Sequence, residues 1–186
     1  IMRQWSWRQI MIHDLRRCKR ESDFPEVIHP DYKFVIRPDF ETAVMYLSTL
    51  LQLVQARPTP LAIDIETRSG HIACIGIAWT KLEAICIPLM CSERVEGYWS
   101  EPEEAEIAFL LYQLLTHPNC EGLGQNFSYD AQYFWRHLHF IPKLARDTMI
   151  AQHVCFSNML KGLDFLSSMY CEHHVYWKDD GKTWDA

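Results

Sequence analysis

Hydrophobic and polar positions recur along the chain with two different periods, and together they predict an α/β fold. Three apolar runs, LAIDIET, IACIGIAW and AICIPLM, occupy residues 61–90 and are joined by short polar connections. Short connections of this kind predict neighbouring antiparallel strands. Helical spacing of apolar residues is found elsewhere, for example at Val44, Leu47, Leu51 and Val54.

The predicted order of elements is strand, helix, three strands, helix, strand and three further helices. This order favours a mixed sheet with an antiparallel three-strand meander, flanked by helices. Asp39 is a predicted N-cap, and Ser100 with Glu103 has the spacing of a capping box. The segment IPKLARD, residues 141–147, is predicted to be a turn, with Asp147 as a cap for the helix that follows.

Length and composition limit the classes of protein to which the chain can belong. With 186 residues, 48% of them hydrophobic, it can form one sizeable core, here assigned to residues 31–186, after an arm or linker at residues 1–30. A net charge of −6 argues against a protein that tracks along duplex nucleic acid. No apolar run is long enough to span a bilayer, so no membrane partner is expected. Seven scattered cysteines predict reduced thiols and a cytoplasmic location.

An aspartate and a glutamate interrupt the first of the three strand candidates. Because side chains alternate along a strand, Asp64 and Glu66 share one face, opposite Leu61, Ile63 and Ile65. Two carboxylates separated by roughly 7 Å along a strand repel each other unless a cation is present. Hard divalent cations prefer carboxylate oxygens, so this spacing predicts a metal site on a central strand. An edge strand on which water solvates both acids is the alternative.

A second segment, GLGQNFSYDAQYF at residues 122–134, contains a third acid. A glycine-punctuated strand end leads into a helix, and Asp130 lies on the first turn, where the helix dipole favours a carboxylate. From there Asp130 can project across the end of the sheet towards Asp64 and Glu66. Asn126 can bind a ligand or hydrogen-bond the nearby backbone as a cap.

The segments DIET and GQNFSYD resemble the first and second exonuclease motifs of the proofreading 3′–5′ exonuclease domain of family A DNA polymerases. That Klenow-type domain belongs to the superfamily of DEDD exonucleases, which has an RNase H-like fold. The resemblance covers roughly residues 32–180 and includes RDTMIAQHV and KGLDFLSSMY, which are most similar to phage-type polymerases.

This resemblance implies roles for individual residues. Asp64, Glu66 and Asp130 match the catalytic residues that bind two divalent metal ions, Mg²⁺ or Mn²⁺. Thr67 matches the position whose backbone lies against the terminal nucleotide, and Asn126 matches the asparagine of the second motif. Both are therefore expected to bind substrate.

The chain departs from the family pattern in two respects. Relatives carry a bulky apolar residue at the position of Gly70, and His71 or Ile72 are the residues that could replace it. The family's third motif, Tyr-x-x-x-Asp, has a literal match at Tyr176 and Asp180, but the surrounding segment YWKDDGKTWD lacks an apolar stripe and contains a glycine. We therefore expect the domain to be truncated before its third motif.

The function implied by the resemblance is hydrolysis of phosphodiester bonds at a single-stranded DNA 3′ end, with release of 5′-mononucleotides. The chain would then be the proofreading domain of a DNA polymerase, with a polymerase domain downstream. Two other hypotheses are an RNA-trimming exonuclease similar to ribonuclease D and a non-catalytic scaffold module of a polymerase.

Overall fold

The computed structural model describes residues 5–24, 26 and 30–173. The chain divides into two compact units, one formed by Asp31–Thr148 and the other by Ile1–Pro30 together with Met149–Ala186. Among the described residues, no helix is both long enough and apolar enough to cross a membrane.

The unit Asp31–Thr148 is built around a mixed sheet. In the described part of the chain this sheet has six strands, in the order β1-β4-β3-β2-β5-β6. They are β1 (Lys33–Val35), β2 (Thr59–Arg68), β3 (His71–Ala78), β4 (Glu83–Pro88), β5 (Cys120–Gly124) and β6 (Leu144–Asp147). β2 pairs with β3 on one side and, over Thr59–Ala62, with β5 on the other, so it is an interior strand of the sheet and not an edge strand.

The strands β2, β3 and β4 form an antiparallel meander, which confirms the prediction from the three apolar runs. Ser69 and Gly70 connect β2 to β3, and both have positive φ angles, 52° and 80°. Two consecutive positive φ angles are typical of a type I′ turn, whose twist matches that of the flanking strands. The pairs β1–β4, β2–β5 and β5–β6 are parallel.

The helices α2 (Phe40–Ala56) and α3 (Glu101–Leu115) pack against each other and join the core of this unit. The Asp39 side chain accepts a hydrogen bond from the N–H of Thr42 at 2.8 Å, and Ser100 and Glu103 form a complete capping box. Both predicted helix starts are therefore confirmed. The core includes residues from both helices and from the sheet, among them Leu47, Leu50, Ile63, Ile75, Ile107 and Leu111.

The other unit contains α1 (Arg8–Ser22), α6 (Leu163–Tyr170) and most of α5 (Thr148–Cys155). Arg17 of α1 donates to the carbonyl oxygens of Ser168 and Glu172, each at 2.9 Å. This arginine therefore links α1 to the C-terminal end of α6. Charge-assisted hydrogen bonds of this kind are stronger than bonds between neutral groups.

The prediction of a turn at residues 141–147 is wrong, because this segment contains β6. The strand pairs in parallel with β5, with Arg146 opposite Leu123. β6 lies at the edge of the sheet and most of its residues are exposed. An exposed edge strand needs no alternation of apolar and polar residues, so the pattern that predicts strands is missing here.

Candidate active site

Alternate residues of β2 have opposite environments, as the period of two predicts. Leu61, Ile63 and Ile65 are buried in the core, whereas Asp64 and Glu66 are exposed. The two acidic side chains therefore lie on one face of an interior strand, and the other face of the same strand contributes to the core.

Asp130 lies on the first turn of α4 (Ser128–Leu138) and reaches the backbone of β2. Its Oδ1 accepts a hydrogen bond from the N–H of Ile65 at 3.1 Å, and the residue is only 5% exposed. The register between β2 and β5 ends before Ile65, so Asp130 provides an acceptor beyond the last strand pair. The structure thus brings Asp130 to the strand segment that carries Asp64 and Glu66.

Partial burial raises the pKa of all three carboxyl groups, and the charge of Asp64 further raises the pKa of Glu66 and of Asp130. Burial raises the pKa of Asp64, and burial followed by the charge of Asp64 raises the pKa of Glu66. For Asp130, burial followed by the charge of Asp64 raises the pKa to about 6. Three acids whose ionised forms are disfavoured in this way are stabilised by a bound cation.

A fourth acid, Asp147 at the end of β6, holds the turn between β5 and α4. Its Oδ1 accepts from the N–H of Asn126 at 3.2 Å, and its Oδ2 accepts from the N–H of Phe127 at 2.8 Å. Both of these bonds go to the turn that leads into α4, and the role of Asp147 as a cap for α5 stays a prediction. Because Asn126 and Phe127 lie 21 and 20 residues before Asp147, no local sequence pattern could predict these two hydrogen bonds.

In the turn before α4, the backbone conformation and the close packing explain why asparagine and glycine occupy positions 126 and 124. Asn126 has a φ of 55°, a conformation in which asparagine is enriched, and its carbonyl accepts from the N–H of Tyr129 at 3.0 Å. Position 124 requires glycine, because a Cβ there would collide with the ring of Phe127. The observed role of Asn126 is in this turn, and its contact with substrate stays a prediction.

Thr67 follows the acidic pair on β2, and its side chain contacts α4. Its Oγ1 lies 3.0 Å from the hydroxyl oxygen of Tyr129, within hydrogen-bonding distance. The register between β2 and β3 shifts between Glu66 and Thr67. Such bulges are frequent beside active sites, where they redirect side chains. The contact between Thr67 and a terminal nucleotide stays a prediction.

The remaining predicted positions differ in their accessibility. A Cβ at Gly70 would meet no atom within 4 Å, so this position faces open space. Ile72 is 3% exposed and belongs to the core, whereas His71 is exposed. Of the two candidates to replace an apolar residue near the turn, His71 is therefore the accessible one. Tyr176 and Asp180 lie outside the described residues.

A comparison with protein families gives a match that covers most of the chain. Residues 41–186 match the family of the 3′–5′ exonuclease. The chain belongs to this 3′–5′ exonuclease family. A comparison with curated protein sequences gives no significant match.

Several solved nucleases have a fold similar to that of this chain. Escherichia coli RNase D, an exoribonuclease involved in structured RNA processing, is 19% identical with a TM-score of 0.53, over 81% of this chain and 36% of RNase D. The catalytic core of RRP6 from Trypanosoma brucei is 17% identical with a TM-score of 0.58, over 94% of this chain and 47% of the RRP6 chain. Brucella melitensis NrnC bound to pGG is 14% identical with a TM-score of 0.53, over 80% of this chain and 64% of NrnC.

These similarities show that the chain has an α/β RNase H-like fold, as the resemblance implies. Its mixed sheet with the β2–β3–β4 meander is the part that positions the acidic residues. The chain spans less than half the length of the RNase D and RRP6 chains that it matches.

The three acidic residues fit a hard divalent cation by their donor chemistry. Asp64, Glu66 and Asp130 offer carboxylate oxygens, which Mg²⁺ and Mn²⁺ prefer, and a bound cation would favour the ionised forms that burial and the charge of Asp64 disfavour. Over the described ranges, no three histidine, cysteine or acidic side chains are grouped so that they could hold a metal ion. Metal binding by these acids is therefore a proposal that rests on donor type and electrostatics.

Proposed function

We propose that the exonuclease removes nucleotides from the 3′ end of single-stranded RNA by metal-dependent hydrolysis and releases 5′-mononucleotides. The observation that carries the proposal is the 3.1 Å hydrogen bond from the N–H of Ile65 to Asp130. This bond brings the acid of α4 to the strand that bears Asp64 and Glu66. Family membership supports the direction of hydrolysis.

In this proposal, Asp64, Glu66 and Asp130 bind two divalent metal ions, Mg²⁺ or Mn²⁺, through carboxylate oxygens. When bound, such ions lower the pKa of an attacking water and stabilise the charge on the leaving 3′ oxygen. The chain itself supplies the fixed orientation of the donors. Asp130 is held by the backbone of Ile65, and its turn is held by Asp147.

Residues around the acids position the end of the nucleic acid. Thr67 lies next to Glu66 on β2, and its hydrogen bond with Tyr129 connects β2 to α4. Asn126 lies on the exposed turn before α4. We assign Thr67 and Asn126 to binding of the terminal nucleotide, because both are within a few residues of the proposed metal ligands.

The solved nucleases of similar fold favour RNA as the substrate. RNase D is an exoribonuclease involved in structured RNA processing, and NrnC binds pGG. A net charge of −6 suits an enzyme that holds a few nucleotides through metal ions better than one that binds long duplexes.

A second candidate function is proofreading of DNA 3′ ends, with a polymerase domain as the partner. It is favoured by the segments DIET and GQNFSYD, which resemble the motifs of family A polymerases. The same acids and the same metal chemistry serve both functions, so the preferred sugar of the substrate distinguishes them.

Hydrolysis of end-labelled single-stranded RNA and DNA of one sequence tests the proposal. We expect shortening from the 3′ end that requires Mg²⁺ or Mn²⁺, is faster for RNA and is lost in Asp64→Asn. Faster shortening of DNA would support the proofreading function. A non-catalytic scaffold predicts no shortening of either strand and the same heat of Mn²⁺ binding for the wild type and Asp64→Asn.

A further inference from the structure

One face of α4 carries a continuous row of aromatic rings that the proposed chemistry does not use. Tyr129, Tyr133 and His137 follow one another at intervals of one helical turn, and His71 of β3 continues the row. We call these four residues the α4 ladder. Their ring centroids are separated by 4.9 Å from Tyr129 to Tyr133, 5.9 Å from Tyr133 to His137 and 5.0 Å from His137 to His71.

Hydrogen bonds hold the α4 ladder at both ends. At one end, the hydroxyl of Tyr129 bonds with Thr67 at 3.0 Å and with the hydroxyl of Tyr133 at 3.3 Å. At the other end, His137 Nε2 lies 3.1 Å from the carbonyl oxygen of Gly70, in the β2–β3 turn. The ladder therefore begins beside the acidic residues and continues away from them along a rigid helix.

The rings of the α4 ladder are accessible to a ligand. Tyr129 is 45% exposed, His71 is exposed, and Tyr133 and His137 are half-buried. On the same helix, Phe134 is 0% exposed and packs in the core. Tyr133 also packs partly against the core, so the ladder lies at the margin of the buried face of α4 and keeps part of its ring surface accessible.

Positive charge accompanies the α4 ladder in a chain whose net charge is negative. Arg68 pairs with His71 in the register of β2 and β3, and its side chain is exposed. Arg136 is exposed and close enough to Tyr133 to interact with it electrostatically. Aromatic rings interleaved with arginines match the alternating bases and phosphates of a single strand.

We propose that the α4 ladder is a stacking track for the unpaired bases that precede the 3′ end, an inference that rests on the proposed function. Bases stack on Tyr133, His137 and His71, while Arg68 and Arg136 contact phosphates. Stacking uses the ring faces that every base has, so the track accepts RNA and DNA with little sequence preference. It holds the strand so that its terminus lies at the acidic residues.

Binding of a short 5′-labelled single-stranded RNA to the full chain, measured by fluorescence anisotropy in EDTA to prevent hydrolysis, tests the track. We expect the double variant Tyr133→Leu/His137→Leu to bind about tenfold or more weakly than the wild type, since each lost stack weakens binding substantially. Leucine preserves apolar packing and removes the ring. Trp135→Leu is the matched control, because Trp135 is 60% exposed on the same helix and is not part of the ladder. Its affinity should equal that of the wild type.

An RNA with abasic positions before its 3′ end distinguishes stacking from a structural effect. The wild type should bind this RNA as weakly as the double variant binds the intact RNA, and the double variant should not distinguish the two RNAs. If circular dichroism shows that the double variant is unfolded, His137→Leu alone should still give weaker binding and reduced sensitivity to the abasic positions.

The outcomes separate this inference from the function on which it rests. Equal binding of intact RNA by the wild type and the folded double variant, with normal Mg²⁺-dependent shortening, would overturn the track and leave the exonuclease function standing. Absence of both binding and metal-dependent shortening in the wild type, for RNA and for DNA, would overturn the function itself.

Discussion

The two faces of β2 differ in chemistry although both belong to the same ten residues. On the inner face, Leu61, Ile63 and Ile65 are at most 6% exposed. On the outer face, Asp64 and Glu66 are exposed and have raised pKa values. Alternate residues of β2 therefore contribute either to the stability of the core or to the proposed chemistry. A substitution on one face should have little effect on the property that depends on the other face.

This division has a consequence for the energetics of the fold. Burying one large aliphatic side chain stabilises a protein by about 1.5 to 3 kcal/mol. Acids whose pKa is raised by burial and by like charge destabilise the metal-free fold when they ionise. Substitutions on the inner face should therefore reduce stability, and those on the acidic face should reduce activity without such a loss.

The largest effect is expected for Asp64→Asn, which removes one charge from the proposed metal site. We expect the rate of metal-dependent RNA shortening to fall by roughly a thousandfold, as when a main electrostatic element of catalysis is lost. The free energy of unfolding in EDTA should not decrease, because the residue does not contribute to the core. Full activity of Asp64→Asn in both Mg²⁺ and Mn²⁺ would contradict the proposed role of this face.

A smaller effect, of the opposite kind, is expected for Ile63→Ala on the inner face. Ile63 is 3% exposed, and its truncation should lower the free energy of unfolding by about 3 kcal/mol, measured with urea. Glu66→Gln is the control on the other face of the same strand, and it should not lower stability. If Glu66→Gln destabilised the protein as much as Ile63→Ala, the two faces would not be separable.

The smallest effect is expected for Asp130→Asn, and it depends on pH. The folded-state pKa of Asp130 is about 6, above the value of about 3.9 in an unfolded chain. Its contribution to stability is therefore complete below about pH 4 and is lost as the pH rises to about 6. Asparagine can still accept the hydrogen bond from Ile65 and carries no charge. Because a shift of about two pKa units corresponds to roughly 2.5 kcal/mol, Asp130→Asn should be more stable than the wild type by about that amount in EDTA near neutral pH.

Urea unfolding at several pH values measures this difference. The gain should disappear near pH 4, where the wild-type carboxyl group is protonated as well. A variant that is equally stable or less stable near neutral pH would show that burial and repulsion do not act on Asp130 as the structure indicates.

Local sequence patterns were sufficient to predict much of the fold and the placement of two acids. A period of two assigns Asp64 and Glu66 to one face of β2, because backbone geometry alone makes side chains alternate. The starts of α2 and α3 are predictable from Asp39 and Ser100, because a cap acts within one turn.

Longer-range features were not predictable in the same way. β6 shows no alternation of apolar and polar residues, because its side chains are mostly exposed. It is a strand because its backbone pairs with β5. Asp147 bonds to a turn 20 residues away, and His71 meets His137 because of how the β2–β3 hairpin lies beside α4. These contacts depend on the order of strands in the sheet, which a local pattern does not encode.

The amino-acid sequence by itself determined which side chains carry acidic and aromatic chemistry and which face of its own element each one occupies. Only the tertiary structure decided which of these side chains meet. The physical reason is distance: alternation and capping act over a few residues, whereas the bond between Ile65 and Asp130 joins groups 65 residues apart. That bond forms because α4 begins where β5 ends, next to β2.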